Sequence, residues 1–431
     1  MSYTLKVVSS AQDERAFIDL PKRLYKATPQ WVCPFDDDIR SVFDPARNDS
    51  FNDGEARRWL AFDEKGVCVG RIAAFFNRRT AMLDNEPPTG GCGFFEAIDD
   101  RELAFMLFDA AREWLSENGM EAMDGPINFG SRDQWWGLLV NGFEHQPLYA
   151  NPYNPPYYQK MFEEYGFQTY FNQHTYARGI SAGTLSEAVY ARVKRLEEQP
   201  EYRFEHIRME DLERVIEGFR TVYNKAWSMF TGVQQMDEAH ARGLMNTLRP
   251  ILDPELVYFA YYNDEPIGFF IMIPDLNRII GKFNGKFGII NKLRFIWDLK
   301  VAKKVDRAFG LIFGVTPEQQ GKGIESGMIR AFEKKVEEGT LPYKTLELAW
   351  IGDFNPVMMR MVEKFVCANR HKQHVTYRYL FDRTKEFKRC PSLALKRRER
   401  PAAAAPATEA PAAPATEATP ATEPTATTAE K

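Results

Sequence analysis

Two segments of the chain, 1–178 and 201–385, run through the same succession of elements, and that order limits the possible folds more than any single residue does. Each opens with a strand and a helix: Leu5 to Val8 then DERAFIDLPKRLYKA in the first, FEHIRM then DLERVIEGFRTVYNKAW in the second. A hairpin follows in both. WLAF and VCVGRIAAFF flank DEKG, and VYFAYY and PIGFFIMI flank NDEP, turn residues between apolar runs. A strand then leads into a long helix, in GCGFFEAIDDRELAFMLFDAAREWLSENG and in RAFGLIFGVTPEQQGKGIESGMIRAFEKKVEEG. A further strand (MEAMDGPIN, YKTLELAWI) and a last helix (PPYYQKMFEEYGF, NPVMMRMVEKFV) complete each copy. The residues match poorly, so the repeat is one of architecture. The expected class is α/β, a mixed sheet with helices, in two tandem domains. SEAVYARVKRLEEQ, within the linker 179–200, sets Val189, Val193 and Leu196 on one helical face.

A chain of 431 residues with 44% apolar side chains can bury the cores this demands. A net charge of -4 gives no ground for nucleic-acid binding. Five scattered cysteines, without a CxxC pair or a Cys/His cluster, indicate neither a disulfide framework nor a metal site. The N-terminus lacks the apolar core of a signal peptide, and no run of about 18 apolar residues occurs. A cytoplasmic protein is expected, with peripheral membrane contact left open. Segment 386–431 begins basic and continues from Pro401 as Ala, Pro, Thr and Glu, with PATE at 406, 414 and 420. Nothing there offsets the entropy of ordering, so a disordered tail is expected.

The stretch FGVTPEQQGKGIESGMIRAF, 313–332, is a strand, a glycine turn and a helix. Ile324, Met328, Phe332 and Val336 form a buried stripe, which puts Gly321 and Gly323 at the strand-to-helix corner. Free backbone N–H groups and the positive helix end favour an anion there. The P-loop pattern fails because Gly323 follows Lys322, and the dinucleotide pattern fails because Ser326 takes its last glycine position. The order strand, Val-x-Pro, polar residues, Gln320-Gly321-Lys322-Gly323-Ile324 and helix resembles motif A of the GNAT acyltransferase superfamily. Glu325 departs from that pattern. It suits a first helical turn, yet it repels phosphate unless it points away. The resemblance covers 200–385 well and 1–178 weakly, as a copy without the glycines. It implies acyl-CoA as co-substrate and no metal. Gln320, Gly321, Lys322, Gly323 and Ile324 would face the pyrophosphate, the backbone of Phe313, Gly314 and Val315 the thioester, and Asn355 the pantetheine arm. Many GNAT enzymes carry a tyrosine acid near the place that Val362 occupies here.

Acyl transfer to an amine requires a base, oxyanion donors and an acid for the thiolate. Glu347 alternates with Leu346 and Leu348 in TLELAW, where burial would raise its pKa and suit it as the base. An ion-paired residue is the other reading. His371, His374 and Tyr377 read as surface or core. In the first half, SRDQWWGLLVNGFEHQPLYANPYNPPYYQK is dense in Trp, Tyr, Asn and Pro. Asn128, Trp136, Asn154, Tyr157 and Tyr158 are its substrate-pocket candidates, against a loop packed by its own aromatics. Insertion 279–307 carries eight Lys or Arg against two Asp, interleaved with Phe283, Phe287, Phe295 and Trp297. It reads as a helix lying on an anionic membrane, or as a lid or interdomain helix with a solvated basic face.

The tandem halves, QGKGIE, LELAWIGDFN and NPYNPPYY together resemble a bacterial family that includes ceramide synthase-like proteins. That resemblance implies N-acylation of a sphingoid base, or its 3-oxo form, from a long-chain acyl-CoA. The alternatives are a GNAT enzyme acting on a small or aminoacylated amine, and a non-catalytic binding protein of the same fold.

Overall fold

A computed structural model describes residues 2–82, 87–227 and 235–393. The tail expected from Pro401 onward lies outside the described residues. The first half runs β1 (Thr4–Val7), α1 (Ala11–Leu24), α2 (Asp36–Val42), β2 (Gly54–Phe62), β3 (Cys68–Asn77), β4 (Thr89–Ala97), α3 (Arg101–Glu117), β5 (Ala122–Gly125), β6 (Leu138–Asn141), α4 (Tyr157–Tyr165) and β7 (Gln168–Gly179). After α5 (Glu187–Glu197), the second half follows the same plan. It comprises β8 (Tyr202–His206), α6 (Leu212–Trp227), α7 (Glu238–Leu248), β9 (Val257–Tyr262), β10 (Glu265–Pro274), α8 (Asn277–Ile280), α9 (Ile289–Ile296), β11 (Arg307–Val315), α10 (Ile324–Glu337), β12 (Thr345–Gly352), α11 (Pro356–Met361) and β13 (Asn369–Leu380).

Local chemistry sets these boundaries. Ser10 and Asp13 cap α1 reciprocally, each accepting from the other's backbone N–H. The stripe expected on α10 is present: Ile324 and Met328 are fully buried and Phe332 nearly so. The expected face of α5, Val189, Val193 and Leu196, is buried in the same cluster. Each such side chain contributes roughly 1.5–3 kcal/mol of transfer free energy.

All thirteen described strands join one sheet, ordered β1-β2-β3-β4-β5-β13-β7-β12-β11-β10-β9-β8, with β6 also on β13. The halves exchange their last strands. β13, from the end of the second half, pairs with β5 of the first, Tyr377 opposite Gly125. β7, from the end of the first half, pairs with β12 of the second, Leu348 opposite Tyr176. β7 and β13 also pair with each other, Thr376 opposite Phe171. The residues up to Ser392 thus form one compact unit. The sequence reading did not foresee β7, because its centre, Asn172-Gln173-His174-Thr175, has no apolar alternation. Gln173 and Thr175 are nonetheless fully buried. Neighbours satisfy them: the Thr376 hydroxyl donates to Gln173 Oε1 at 3.0 Å, and Lys372 N donates to Thr175 Oγ1 at 3.1 Å.

Candidate functional site

The seam between β11 and β12 holds for only four residue pairs, from Arg307 opposite Thr345 to Gly310 opposite Leu348. Beyond it β11 stays with β10, Phe313 opposite Phe270, while β12 follows β7, Ile351 opposite His174. A bulge parts them. Ile271 pairs with Ile312 but Met272 pairs with Gly310, so Leu311 is the extra residue and β11 bends away. The β12-facing backbone groups of Leu311–Val315 are left without a strand partner. Leu311, Ile312 and Phe313 on one side, and Ala349, Trp350 and Ile351 on the other, are only half-buried. The result is an apolar cleft between two diverging strands.

The glycine corner follows the end of β11 at Val315. Gly321 and Gly323 both take left-handed backbone conformations, φ 78° and 93°, which the turn from strand into helix requires. A Cβ on Gly321 would meet open space. Among the described residues no hydrogen bond engages the backbone N–H of Gly321, Gly323 or Ile324, and the buried Ser326 hydroxyl has no partner. These orphaned donors at a helix N-terminus fit a pyrophosphate. Glu325 stands in the first turn of α10, beside the corner. Its carboxylate turns back on its own backbone N–H, and burial pushes its pKa up. Arg192 of α5, which the sequence reading missed, packs its Cβ 3.6 Å from the Cβ position of Gly323 and lays its guanidinium over Phe365 at 4.2 Å. The exposed Lys322 is a further cation there, and Arg192 acts on Glu325. Gln320 Nε2 donates to Val315 O at 3.1 Å, so this side chain braces the turn. Asn355 caps α11, accepting from Met358 N at 3.2 Å.

No protein-family model matches the chain. It is 28% identical over 375 residues to the bacterial ceramide synthase of Caulobacter vibrioides (strain NA1000 / CB15N), spanning 86% of this chain and 95% of that protein. It is 26% identical over 372 residues to protein YghO of Escherichia coli K12, spanning 85% and 92%. Among solved structures, the tandem GNAT protein from the clavulanic acid biosynthesis pathway superposes with a TM-score of 0.50 at 11% identity, covering 88% of this chain and 99% of that one. The chain has the tandem GNAT fold.

In this fold Glu347 is not the raised-pKa group expected from sequence. Burial works to raise it, but Lys372 and Arg307 outweigh that and hold the carboxyl below its ordinary range. Lys372 forms an ion pair with it, Arg307 lies 3.3 Å away and His371 3.8 Å. Arg307 also pairs with the fully buried Asp275 at 2.5 Å. The Gln146 carbonyl accepts from Arg307 and Lys372, and the Pro147 carbonyl from Arg307. Two carboxylates and two cations thus neutralise one another beneath the Phe309–Glu347 pair, two residues before the strands part. A carboxylate already matched by two cations is a poor proton acceptor, so the geometry makes Glu347 a brace of the seam. Beside it His371 stacks on His145 at 3.8 Å, at the edge of an open depression of about 700 Å³. Burial lowers the pKa of His371 to about 4.

The first half holds a cavity of about 900 Å³, mouth included, walled by residues such as Trp31, Phe94, Glu96, Trp135 and Tyr149. Of the five pocket candidates, Asn154 and Tyr158 line it, and Asn128, Trp136 and Tyr157 do not. Asn128 is buried and donates to Ser131 O, Trp136 is buried beneath Arg132, and the Tyr157 hydroxyl donates to Ala97 O. These three pack the loop, which was the other reading. Asn154 clamps β6, accepting from Leu139 N at 2.7 Å and donating to Leu139 O at 3.0 Å. Among the polar groups that line the cavity is Glu96, which neither the motifs nor the aromatic cluster had marked. Tyr25 and Tyr158 donate to it at 2.7 and 2.9 Å, and Arg71 lies at 3.5 Å. Burial pushes the Glu96 carboxyl up despite Arg71. One signal was available: Arg71 is the lone charge in VCVGRIAAFF and Glu96 the lone charge in GCGFFEA.

Proposed function

We propose that this protein is an acyl-CoA-dependent N-acyltransferase whose co-substrate lies in the second half. The observation that carries this reading is the parting of β11 and β12 after Gly310 and Leu348, which opens an apolar cleft onto a corner of unpaired, left-handed glycine backbone. The N–H groups of Gly321, Gly323 and Ile324, with Lys322 and Arg192 nearby, would hold the pyrophosphate. The thioester would run along β11, where backbone N–H groups of Phe313–Val315 would receive the oxyanion of the tetrahedral intermediate. The amine nitrogen attacks the thioester carbon and gives up a proton to solvent, the C–S bond breaks as the tetrahedral intermediate collapses to the amide, and the thiolate leaves and takes a proton from solvent. The brace of Asp275, Arg307, Glu347 and Lys372 would fix the width of the cleft.

The relative named a bacterial ceramide synthase supports, as the acceptor, a long-chain amine such as a sphingoid base. The partly apolar cleft and the aromatic cavity support a lipid over a small amine. A second reading, a binding protein without turnover, draws support from the neutralised Glu347.

The test joins two measurements. Long-chain acyl-CoA should protect the full chain from thermal unfolding, and free thiol should appear when a sphingoid base is added. Protection without thiol release would favour the binding protein. Absence of both would overturn the proposal.

A further inference from the structure

We propose that α9 and the wider π-helical turn that continues it, Trp297–Val301, form a docking face for an anionic lipid bilayer. Ile289, Ile290, Leu293, Ile296, Trp297 and Val301 lie on one side of this segment and are 79, 72, 65, 53, 59 and 59% exposed. A helix of a soluble protein normally turns such a stripe inward. This one is fixed with the stripe outward by its other side. Phe295 and Leu299 are buried. Phe287 packs on Phe295 at 5.5 Å and on Phe35 at 4.3 Å. The buried Asp298 pairs with Lys282 and, at 2.8 Å, with Lys304.

The surrounding charge chooses the occupant. Lys286, Lys292, Arg294, Lys300 and Lys303 are all exposed around the stripe. Among the described residues, Lys286, Arg294 and Lys303 form no ion pair, so their charge is available to lipid phosphates. An apolar stripe flanked by unpaired cations matches the boundary between acyl chains and anionic headgroups, where a helix lies flat. A second copy of the chain would have to bury those like charges together. The segment is about 20 Å long at 1.5 Å per residue, and no helix among the described residues is long and apolar enough to cross a membrane. It would therefore lie in the interface plane.

Docking there has a consequence for the cavity of the first half. The insertion packs on the loop that walls it, through Phe35 and through Val32, which lies 3.6 Å from the Cβ position of Gly281. Asn277 of α8 lines the cavity directly. A docked α9 would hold that wall against the lipid and give a membrane-dissolved amine a short path to it. This path rests on the proposed acyl transfer; the docking does not.

The test is flotation of the full chain with vesicles of phosphatidylcholine alone or mixed with phosphatidylglycerol. Binding is expected only to the anionic vesicles. The Ile290→Glu/Leu293→Glu double variant should bind about tenfold or more weakly with its melting temperature unchanged. Lys286→Glu/Arg294→Glu/Lys303→Glu should remove the preference for anionic lipid. The first variant should keep its protection by acyl-CoA, so loss of docking and loss of the acyltransferase reading are separable. No binding to either vesicle by the folded protein overturns the proposal. So does a dimer, by light scattering, that the double variant dissolves.

Discussion

Where β4 meets α3 the chain reads Ala97-Ile98-Asp99-Asp100, and where β11 meets α10 it reads Gln320-Gly321-Lys322-Gly323. The two corners occupy the same place in the two copies of the fold. In the first, Asp100 caps α3 by accepting from Leu103 N at 3.0 Å, and the Tyr3 hydroxyl donates to it at 2.8 Å. An anion meets a carboxylate there. In the second, glycine replaces the cap, the N–H groups of Gly321, Gly323 and Ile324 stay unpaired, Glu325 turns back on its own N–H, and Lys322 and Arg192 stand by. Both copies keep the strand bend. Phe94 on β4 takes a positive φ of 51°, and β4 pairs with β5 only through Gly91. The first copy turned that opening into an aromatic cavity around Glu96, while the second left it as a cleft. The two copies thus share a strand bend and differ in how the corner beyond it is capped.

Gly323→Asp should break this comparison most sharply. It adds a carboxylate at the glycine itself, beyond that of Glu325, and acyl-CoA protection should be lost, a fall of about 100-fold or more in affinity given the charge on the pyrophosphate. Gly321→Asn, which tolerates the left-handed backbone, serves as the folding control. Unchanged affinity in Gly323→Asp would mean that the corners do not differ as argued.

Glu347→Gln comes next. It leaves Lys372 and Arg307 buried against a neutral amide and should cost about 3–5 kcal/mol of stability, read by denaturant unfolding. Glu347→Leu/Lys372→Met should recover much of that loss. A Glu347→Gln protein as stable as the parent but inactive would restore the base role.

Acid should act on the buried histidines and on Glu96 with opposite sign. Burial holds His371 and His374 at about 4 in the folded chain against an ordinary 6.5. The unfolded chain therefore takes up their protons first, and stability is lost as pH falls from 6.5 to 4. Glu347, held low, adds to that loss below its ordinary 4.5. Glu96 is raised, so its contribution is full below 4.5 and fades as pH rises through its folded value. The melting temperature should fall between pH 6.5 and 4, and fall more steeply in Glu96→Gln. A flat profile would contradict the burial of the histidines.

The smallest effect is expected from Asp100→Ala. Losing the cap should cost about 1 kcal/mol and leave acyl-CoA protection unchanged. Weakened protection would place the co-substrate in the first half.

Much of this was legible in the residues. The hairpins, the capped helices and the glycine corner each depend on a few neighbouring positions whose propensities agree, and that is why order, spacing and motif A pointed to the fold. The apolar stripes of α5 and α10 were readable for the same reason, since helical periodicity is local. Three things were not. The exchange of β7 and β13 depends on pairing across about 200 residues, and the polar centre of β7 hides a buried strand. The state of Glu347 depends on Lys372, 25 positions away, whose approach no spacing rule describes. Glu96 became the polar centre of a cavity only because Tyr25, Arg71 and Tyr158 converge on it from three elements. By itself the sequence determined the elements and the corner, because those are set by backbone preference over a few residues. Tertiary structure alone decided which charges meet, because the electrostatics of a buried group belong to its neighbours in space.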